Sequence, residues 1–151
     1  MDQLIFKFPF SKKYYEQDYF VSSNNFSAFK LIEEWPSWPG KWLNIFGEPG
    51  SGKTHLAKIL EKKINNIKLI DAKDISNEII QELENIECLI IDNFKNNIDE
   101  KLLYSILNQS KQLGNYVLIN SVQPIKDTKF NLEDLGSRIR SFLFIGIEMP
   151  T

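Results

Sequence analysis

Residues 47 to 54 carry the most specific chemical pattern in the chain. They read Gly-Glu-Pro-Gly-Ser-Gly-Lys-Thr, which fits G-x-x-x-x-G-K-S/T, and they lie between an apolar run at 42–46 and a helix-like segment from Lys53. In that strand, loop and helix setting, inward-facing backbone N–H groups and the positive end of the helix bind phosphate. A plain glycine-rich turn is the alternative. We predict a phosphate-binding loop formed by Gly47, Pro49, Gly50, Ser51, Gly52, Lys53, Thr54 and His55.

A metal site is expected beside this loop. The Lys53 ammonium would reach the outer phosphates of a nucleotide, and the Thr54 hydroxyl would bind Mg²⁺. The run from Cys88 to Asp92 is apolar until its last residue, as expected of a buried parallel strand that delivers a carboxylate. We therefore predict that Thr54 and Asp92 hold the metal. The alternative is that Asp92 caps a turn.

Two asparagines bear on hydrolysis. Asn120 ends the apolar run 116–120, so its amide could contact the γ-phosphate or the attacking water, or it could be a turn residue. Asn93 directly follows Asp92, where hydrolytic enzymes often carry a second acid, and an amide is not a useful base at neutral pH. We expect intrinsic hydrolysis to be slow, with Lys53, Asp92 and Asn120 as its machinery.

The remaining basic candidates are His55 and Arg138. His55 is the single histidine, so no metal cluster can be built around it, and we assign it a structural or supporting role beside the loop. Arg138 lies far from the loop in sequence. It is either a solvated arginine or one that completes a neighbour's nucleotide site in trans, and Arg140 is an alternative for that role.

Composition limits the classes of function. The 151 residues suit one domain, and 18 basic against 20 acidic side chains give a net charge of −2, so we expect any DNA contact to be indirect or weak. The single cysteine, Cys88, fits a reducing compartment. No signal peptide or membrane-length apolar run is found, so we expect a cytoplasmic protein without a membrane partner.

Strand-like and helix-like segments alternate along the chain. Helices are expected from Asn25 to about Trp35, from Lys53, from a cap at Asp74 with an apolar face running from Ile75 to Leu83, from Asp99 to Gly114 and over 132–140. Strands are expected at 42–46, 67–71, 88–92, 116–120 and 142–147. This alternation predicts an α/β, three-layer P-loop NTPase with a five-stranded parallel sheet and helices on both faces.

The N-terminal ten residues form a separate apolar segment in which Pro9 prevents a long helix. An edge strand and a linear peptide for a groove on another protein are equally compatible with it. Trp35, Trp38 and Trp42 are read as packing residues, with base stacking as the alternative.

Several stretches together resemble the ATPase core of the AAA+ class and, more narrowly, DnaA-related regulators of the Hda type, which inactivate DnaA. The resemblance covers nearly the whole chain and rests on residues 35–39 (WPSWP), 47–56 (GEPGSGKTHL), 89–93 (LIIDN), 116–121 (YVLINS) and 132–139 (LEDLGSRI). It implies ATP or ADP as the cofactor, with Mg²⁺. An amide after the metal-binding aspartate recurs in that family.

The resemblance also assigns roles to the N-terminal part and to Arg138. It implies that Arg138 is presented to DnaA-bound ATP. It further implies that the hexapeptide 3–8 binds the DNA polymerase sliding clamp, through Gln3, Leu4, Phe6 and Phe8, and that the adenine is covered by Tyr19, Phe20 and Val21.

These considerations predict a clamp-binding arm at 1–10 and an AAA+ core at 11–151. The family's small helical lid domain is not found before Thr151, so we expect the nucleotide to be open on one side. The function expected is an Hda-like regulator of replication initiation with at most weak ATPase activity. One alternative is a helicase-loader-like ATPase that acts on single-stranded DNA, whose DNA affinity should fall steeply with salt concentration. The other is a small P-loop kinase, which needs a lid.

Overall fold

The computed structural model describes residues 25–148. Its helices and strands are α1 (Phe26–Glu34), β1 (Trp42–Phe46), α2 (Lys53–Lys63), β2 (Ile67–Asp71), α3 (Glu78–Glu82), β3 (Cys88–Phe94), α4 (Glu100–Leu113), β4 (Tyr116–Ser121), α5 (Glu133–Ile139) and β5 (Leu143–Gly146). Short 3-10 helices lie at 72–74, 83–85 and 125–127. No helix in this range is long and apolar enough to cross a bilayer.

The described strands form one five-stranded sheet in the order β2-β3-β4-β1-β5, and every neighbouring pair is parallel. β1 lies between β4 and β5, and β4 separates it from β3. The carboxyl ends of parallel strands meet at one edge, so the loop after β1 and the end of β3 face the same crevice. The predicted fold class is confirmed.

Two apolar cores cover the two faces of the sheet. One core joins α1 and α2 to Cys88, Ile90 and Leu118; the other joins α4 and α5 to residues of alternate parity, such as Leu89 and Val117. Adjacent residues of β3 and β4 thus point to opposite cores, as the period of two along a strand requires. This explains the continuous apolar runs in the sequence and accounts for the three layers.

The predicted helix from Asp74 is wrong in its start and its length. Asp71, not Asp74, caps the 3-10 helix 72–74 by accepting a bond from the Lys73 N–H at 3.0 Å, and Ile75 is extended. α3 begins only at Glu78 and has five residues. The apolar residues from Ile75 onward lie in a turn and a short helix that both pack against the second core. Periodicity alone does not distinguish this arrangement from a single helix.

The other helix boundaries follow their predicted signals closely. α4 begins after Asp99, whose Oδ1 accepts from the Leu102 N–H at 3.2 Å, and ends at Leu113, directly before Gly114 with φ +75°. α1 follows Asn25, although without a side-chain capping bond from that residue. β3 continues to Phe94, two residues beyond the predicted end at Asp92, with a register shift between Ile91 and Phe94.

The tryptophans and Cys88 pack as predicted. Trp42 is buried in the second core, and Trp35 and Trp38 contact the ring of Tyr116 edge-on, with centroid distances of 5.4 and 5.7 Å. Cys88 is fully buried in the first core, and burial raises the pKa of its thiol far above the ordinary value. These side chains stabilise the sheet and leave the crevice to other residues.

Candidate nucleotide-binding site

The loop after β1 turns twice through glycine. Gly50 and Gly52 have φ values of +86° and +105°, a region that residues with a Cβ rarely adopt. Gly52 directly precedes Lys53, the first residue of α2, so the sharp turn brings the helix N-terminus to the crevice. The glycines at these two positions are therefore needed for the backbone path of the predicted phosphate loop.

The first glycine of the loop is required for a different reason. A Cβ at Gly47 would lie 2.5 Å from the Ile147 carbonyl oxygen and 2.9 Å from Ser51 Oγ. The Gly47 N–H donates to the Ser121 carbonyl at 3.1 Å, which joins the start of the loop to the end of β4. Any side chain at position 47 would displace the loop from the sheet.

Lys53 lies within the loop. Its ammonium donates to the carbonyl oxygen of Gly47 and, at 3.1 Å, to that of Glu48. Burial lowers the pKa of Lys53, while the negative charges of Asp92 and Glu48 act in the opposite direction. A cation held in a loop that leads into a helix N-terminus is suited to a polyphosphate.

Three predicted residues converge at the carboxyl ends of β3 and β4. Thr54 Oγ1 donates to Asp92 Oδ2 at 3.0 Å, and Asn120 Nδ2 donates to Asp92 Oδ1 at 3.2 Å. Asn120 Nδ2 also donates to the Lys53 carbonyl at 3.1 Å, so it joins β4, β3 and α2. The structure thus brings together Lys53, Thr54, Asp92 and Asn120, which lie as much as 67 residues apart in sequence.

The orientation of the Asn120 amide follows from its neighbours. Both atoms within reach of Nδ2 are acceptors, so the NH₂ group must face them and the carbonyl oxygen must face away. Asn120 is fully buried, and its Oδ1 has no hydrogen-bond partner among the described residues. A buried acceptor without a donor is costly, which suits an atom that takes a ligand or a water molecule.

The residues present fit a magnesium nucleotide. Mg²⁺ prefers oxygen ligands, and a hydroxyl and a carboxylate oxygen lie 3.0 Å apart at Thr54 and Asp92. The Asn120 Oδ1 atom, which lacks a partner among the described residues, adds an acceptor beside Asp92, and the positive φ values of Gly50 and Gly52 let the loop turn sharply into α2. Lys53, Thr54 and Asp92 would hold the phosphates and the metal, which neutralises charge on the phosphate oxygens when bound.

The sequence interpretation missed one carboxylate near this group. Asn93 has φ +59°, and its Nδ2 donates to Asp71 Oδ2 at 2.8 Å, while its own N–H donates to Asp92 Oδ1 at 3.1 Å. The bond from Asn93 lowers the pKa of Asp71, followed by the bond from the Lys73 N–H. The sequence could have predicted this carboxylate, because 67–71 has the pattern of a strand that ends in an acid. Parallel pairing of β2 with β3 then places that acid beside Asp92.

A cavity of about 590 Å³ adjoins this pair at the β2 edge of the sheet. Its wall includes side chains of both charges, among them Asp71, Lys73, Lys95 and Asp99, and no residue of the loop 47–54. It is therefore a neighbour of the predicted phosphate site, and its mixed charge gives no preference for a polyanion.

The two arginines of the α5 region lie apart from the Asp92 group. Arg138 is half-buried, and its Nη2 donates to Asn108 Oδ1 on α4 at 2.8 Å. Arg140 is exposed and donates to Ser137 Oγ at 3.3 Å. His55 is half-buried in the first turn of α2. The predicted clamp residues 3–8 and adenine contacts 19–21 lie outside the described residues.

The strand order, the glycine loop after β1 and the carboxylate on β3 give the chain the fold of AAA+ P-loop NTPase domains. Residues 43–140 match the family model described as RNA helicase, and the chain belongs to that family. No curated protein sequence matches the chain at a significant level.

Solved structures share the fold at low sequence identity. Replication initiator DnaA bound to AMPPCP and single-stranded DNA matches with a TM-score of 0.73 and 19% identity over 88% of this chain and 49% of that chain. Domain III of DnaA from Thermotoga maritima matches with a TM-score of 0.71 and 22% identity, over 87% of this chain and 65% of that chain. DnaI matches with a TM-score of 0.62 and 16% identity, over 85% of this chain and 82% of that chain.

These likenesses confirm the DnaA-like AAA+ fold. The chain spans about half the length of the DnaA structure bound to AMPPCP and single-stranded DNA.

Proposed function

We propose that the chain is an adenine-nucleotide-binding regulator of replication initiation that stimulates hydrolysis of DnaA-bound ATP. The observation that carries the nucleotide part is the convergence of Lys53, Thr54, Asp92 and Asn120 on one crevice behind the glycine loop. ATP or ADP would bind there with Mg²⁺. AMPPCP, an ATP analogue, is bound in one DnaA structure that shares this fold.

The proposal includes slow hydrolysis by the chain itself. Asn93 stands directly after Asp92, and its side-chain amide donates a hydrogen bond to Asp71. An amide is not a useful base at neutral pH, so this position offers no general base to an attacking water molecule. A protein of this kind would accelerate the hydrolysis of ATP bound to another protein, with Arg138 supplied in trans to the DnaA-bound ATP. The sliding clamp would be bound by residues 3–8, the part that resembles the Hda hexapeptide.

The metal role of Asp92 has a direct test. Replacing Asp92 with asparagine keeps the shape but removes the charge, so the Mg²⁺-dependent gain in nucleotide affinity should fall by about tenfold or more, while affinity in EDTA changes little. Titration of a fluorescent ATP analogue with and without Mg²⁺ measures both. Asp127→Asn, which changes an exposed carboxylate in the 3-10 helix 125–127, is the matched control. An undiminished Mg²⁺ gain in Asp92→Asn would exclude the metal role.

The clamp role is tested separately. Replacing Gln3 and Phe8 together with alanine should abolish clamp binding in an anisotropy titration, because the proposed contacts are one polar pocket and one apolar groove. Lys7→Ala, between the proposed contacts, should bind as the unaltered protein does. Retained affinity of the double variant would remove the hexapeptide interpretation and leave the nucleotide site untouched.

A second candidate is an ATPase that acts on a single nucleic-acid strand, favoured by the match of residues 43–140 to the RNA helicase family. Such binding depends on phosphate contacts and weakens steeply with salt. Separate pull-downs with clamp, DnaA and a single-stranded oligonucleotide at two salt concentrations distinguish the two functions. Salt-sensitive capture of the oligonucleotide alone would favour the second candidate.

A further inference from the structure

The hydrogen-bonded pair Asp71 and Asn93 lies one strand away from the predicted metal ligands. Asp71 ends β2, and its Cα is paired in register with that of Asp92 on β3. Asn93 donates from its side chain to Asp71 Oδ2 at 2.8 Å and from its backbone to Asp92 Oδ1 at 3.1 Å. One residue thus connects a carboxylate at the sheet edge to the carboxylate that would hold Mg²⁺.

The backbone of Asn93 needs such an anchor. Its φ of +59° is left-handed, which is unfavourable for a residue with a Cβ, although asparagine tolerates it better than most. The ladder between β3 and β4 shifts register between Ile91 and Phe94, so regular strand pairing does not fix this residue. Asp71 is itself held by the Lys73 N–H at 3.0 Å. The side-chain bond to Asp71 therefore holds the conformation that aims the Asn93 N–H at Asp92.

We propose that Asp71 is a positioning residue for the metal site, acting through the backbone conformation of Asn93 on the orientation of the Asp92 carboxylate. This inference rests on the proposed nucleotide site. Asp92 is then oriented by three donors, the Thr54 hydroxyl, the Asn93 N–H and the Asn120 amide. Loss of a hydrogen-bonding partner behind a metal ligand typically lowers metal affinity by about 10- to 100-fold.

The nucleotide-free protein provides the first test. Asp71→Ala should release the Asn93 backbone, so hydrogen exchange of the residue 93 amide should accelerate by about tenfold or more. Asp74→Ala removes an exposed neighbouring carboxylate that pairs only with Lys73 in the described contacts, and it should leave that amide unchanged. An unchanged rate in Asp71→Ala would refute the link between the two residues.

Glycine at position 93 separates positioning from general damage. Asp71→Ala should lower the Mg²⁺-dependent gain in nucleotide affinity by about tenfold. Adding Asn93→Gly should restore most of it, because glycine adopts positive φ without a side-chain anchor. Adding Asn93→Ala should not, because alanine lacks both the anchor and the conformational freedom. A structural defect caused by losing Asp71 would not be repaired by glycine.

The outcomes are distinguishable. An unchanged Mg²⁺ gain in Asp71→Ala, or a reduced gain that glycine does not restore, overturns the positioning role. If the unaltered protein binds no nucleotide, the proposed function fails and the metal-site role fails with it. The exchange rate of the residue 93 amide would still decide whether Asp71 holds Asn93.

Discussion

Replacing Lys53 with alanine is expected to weaken nucleotide binding by at least about 100-fold. Its ammonium donates to the carbonyls of Gly47 and Glu48, so it already lies inside the loop where the outer phosphates would bind. A hydrogen bond to a charged group contributes about 1.5–3 kcal/mol, and the upper part of that range corresponds to the expected loss. Anisotropy titration of a fluorescent ATP analogue measures the change.

Lys58→Ala is the matched control for this variant. Lys58 is exposed on the same helix, so its replacement removes the same charge without touching the loop. It should bind nucleotide within about twofold of the unaltered protein, as expected for a surface charge. Thermal unfolding of both variants shows whether either has lost its fold. Equal affinities of a folded Lys53→Ala variant and the control would remove the phosphate-loop assignment, and the proposed function with it.

The fold could be predicted because its signals are local and agree with one another. The runs at 42–46, 88–92 and 116–120 are mostly apolar because the strands that they predict are covered on both faces. Asp99 and Gly114 marked the two ends of α4 by bonds that depend on nearby residues alone. The helix expected from Asp74 failed because its apolar spacing serves a turn and a short helix that pack on the second core.

The part of the candidate site that lies in one continuous segment of sequence could be predicted. The loop 47–54 is such a segment, and topology then brought Asp92 and Asn120 to it, because parallel strands end at one edge. The orientation of Asn120 could not be read from the sequence, since it depends on a contact with the Lys53 carbonyl across 67 residues. The bond between Asp71 and Asn93 depends likewise on strand register and on a left-handed backbone.

Replacing Arg138 with alanine is expected to lower the stimulation of DnaA-bound ATP hydrolysis by about 1000-fold, the lower end of the effect of an arginine supplied in trans. The guanidinium would stabilise negative charge that develops on the transferring phosphoryl group in the partner's site. Nucleotide binding and clamp binding by this chain should remain. Phosphate release from ATP-loaded DnaA in the presence of clamp on DNA measures the stimulation.

Two matched variants separate the charge of Arg138 from its place in the fold. Asn108→Ala removes the 2.8 Å bond to Arg138 but leaves the guanidinium, so it should cost about 1 kcal/mol of stability and retain most of the stimulation. Arg140→Ala removes an exposed arginine two residues away, and it should retain stimulation fully. Loss in Arg140→Ala with retention in Arg138→Ala would assign the role to Arg140. Equal loss in Asn108→Ala and Arg138→Ala would mean that packing of α5 on α4, and not a charge offered in trans, explains the effect.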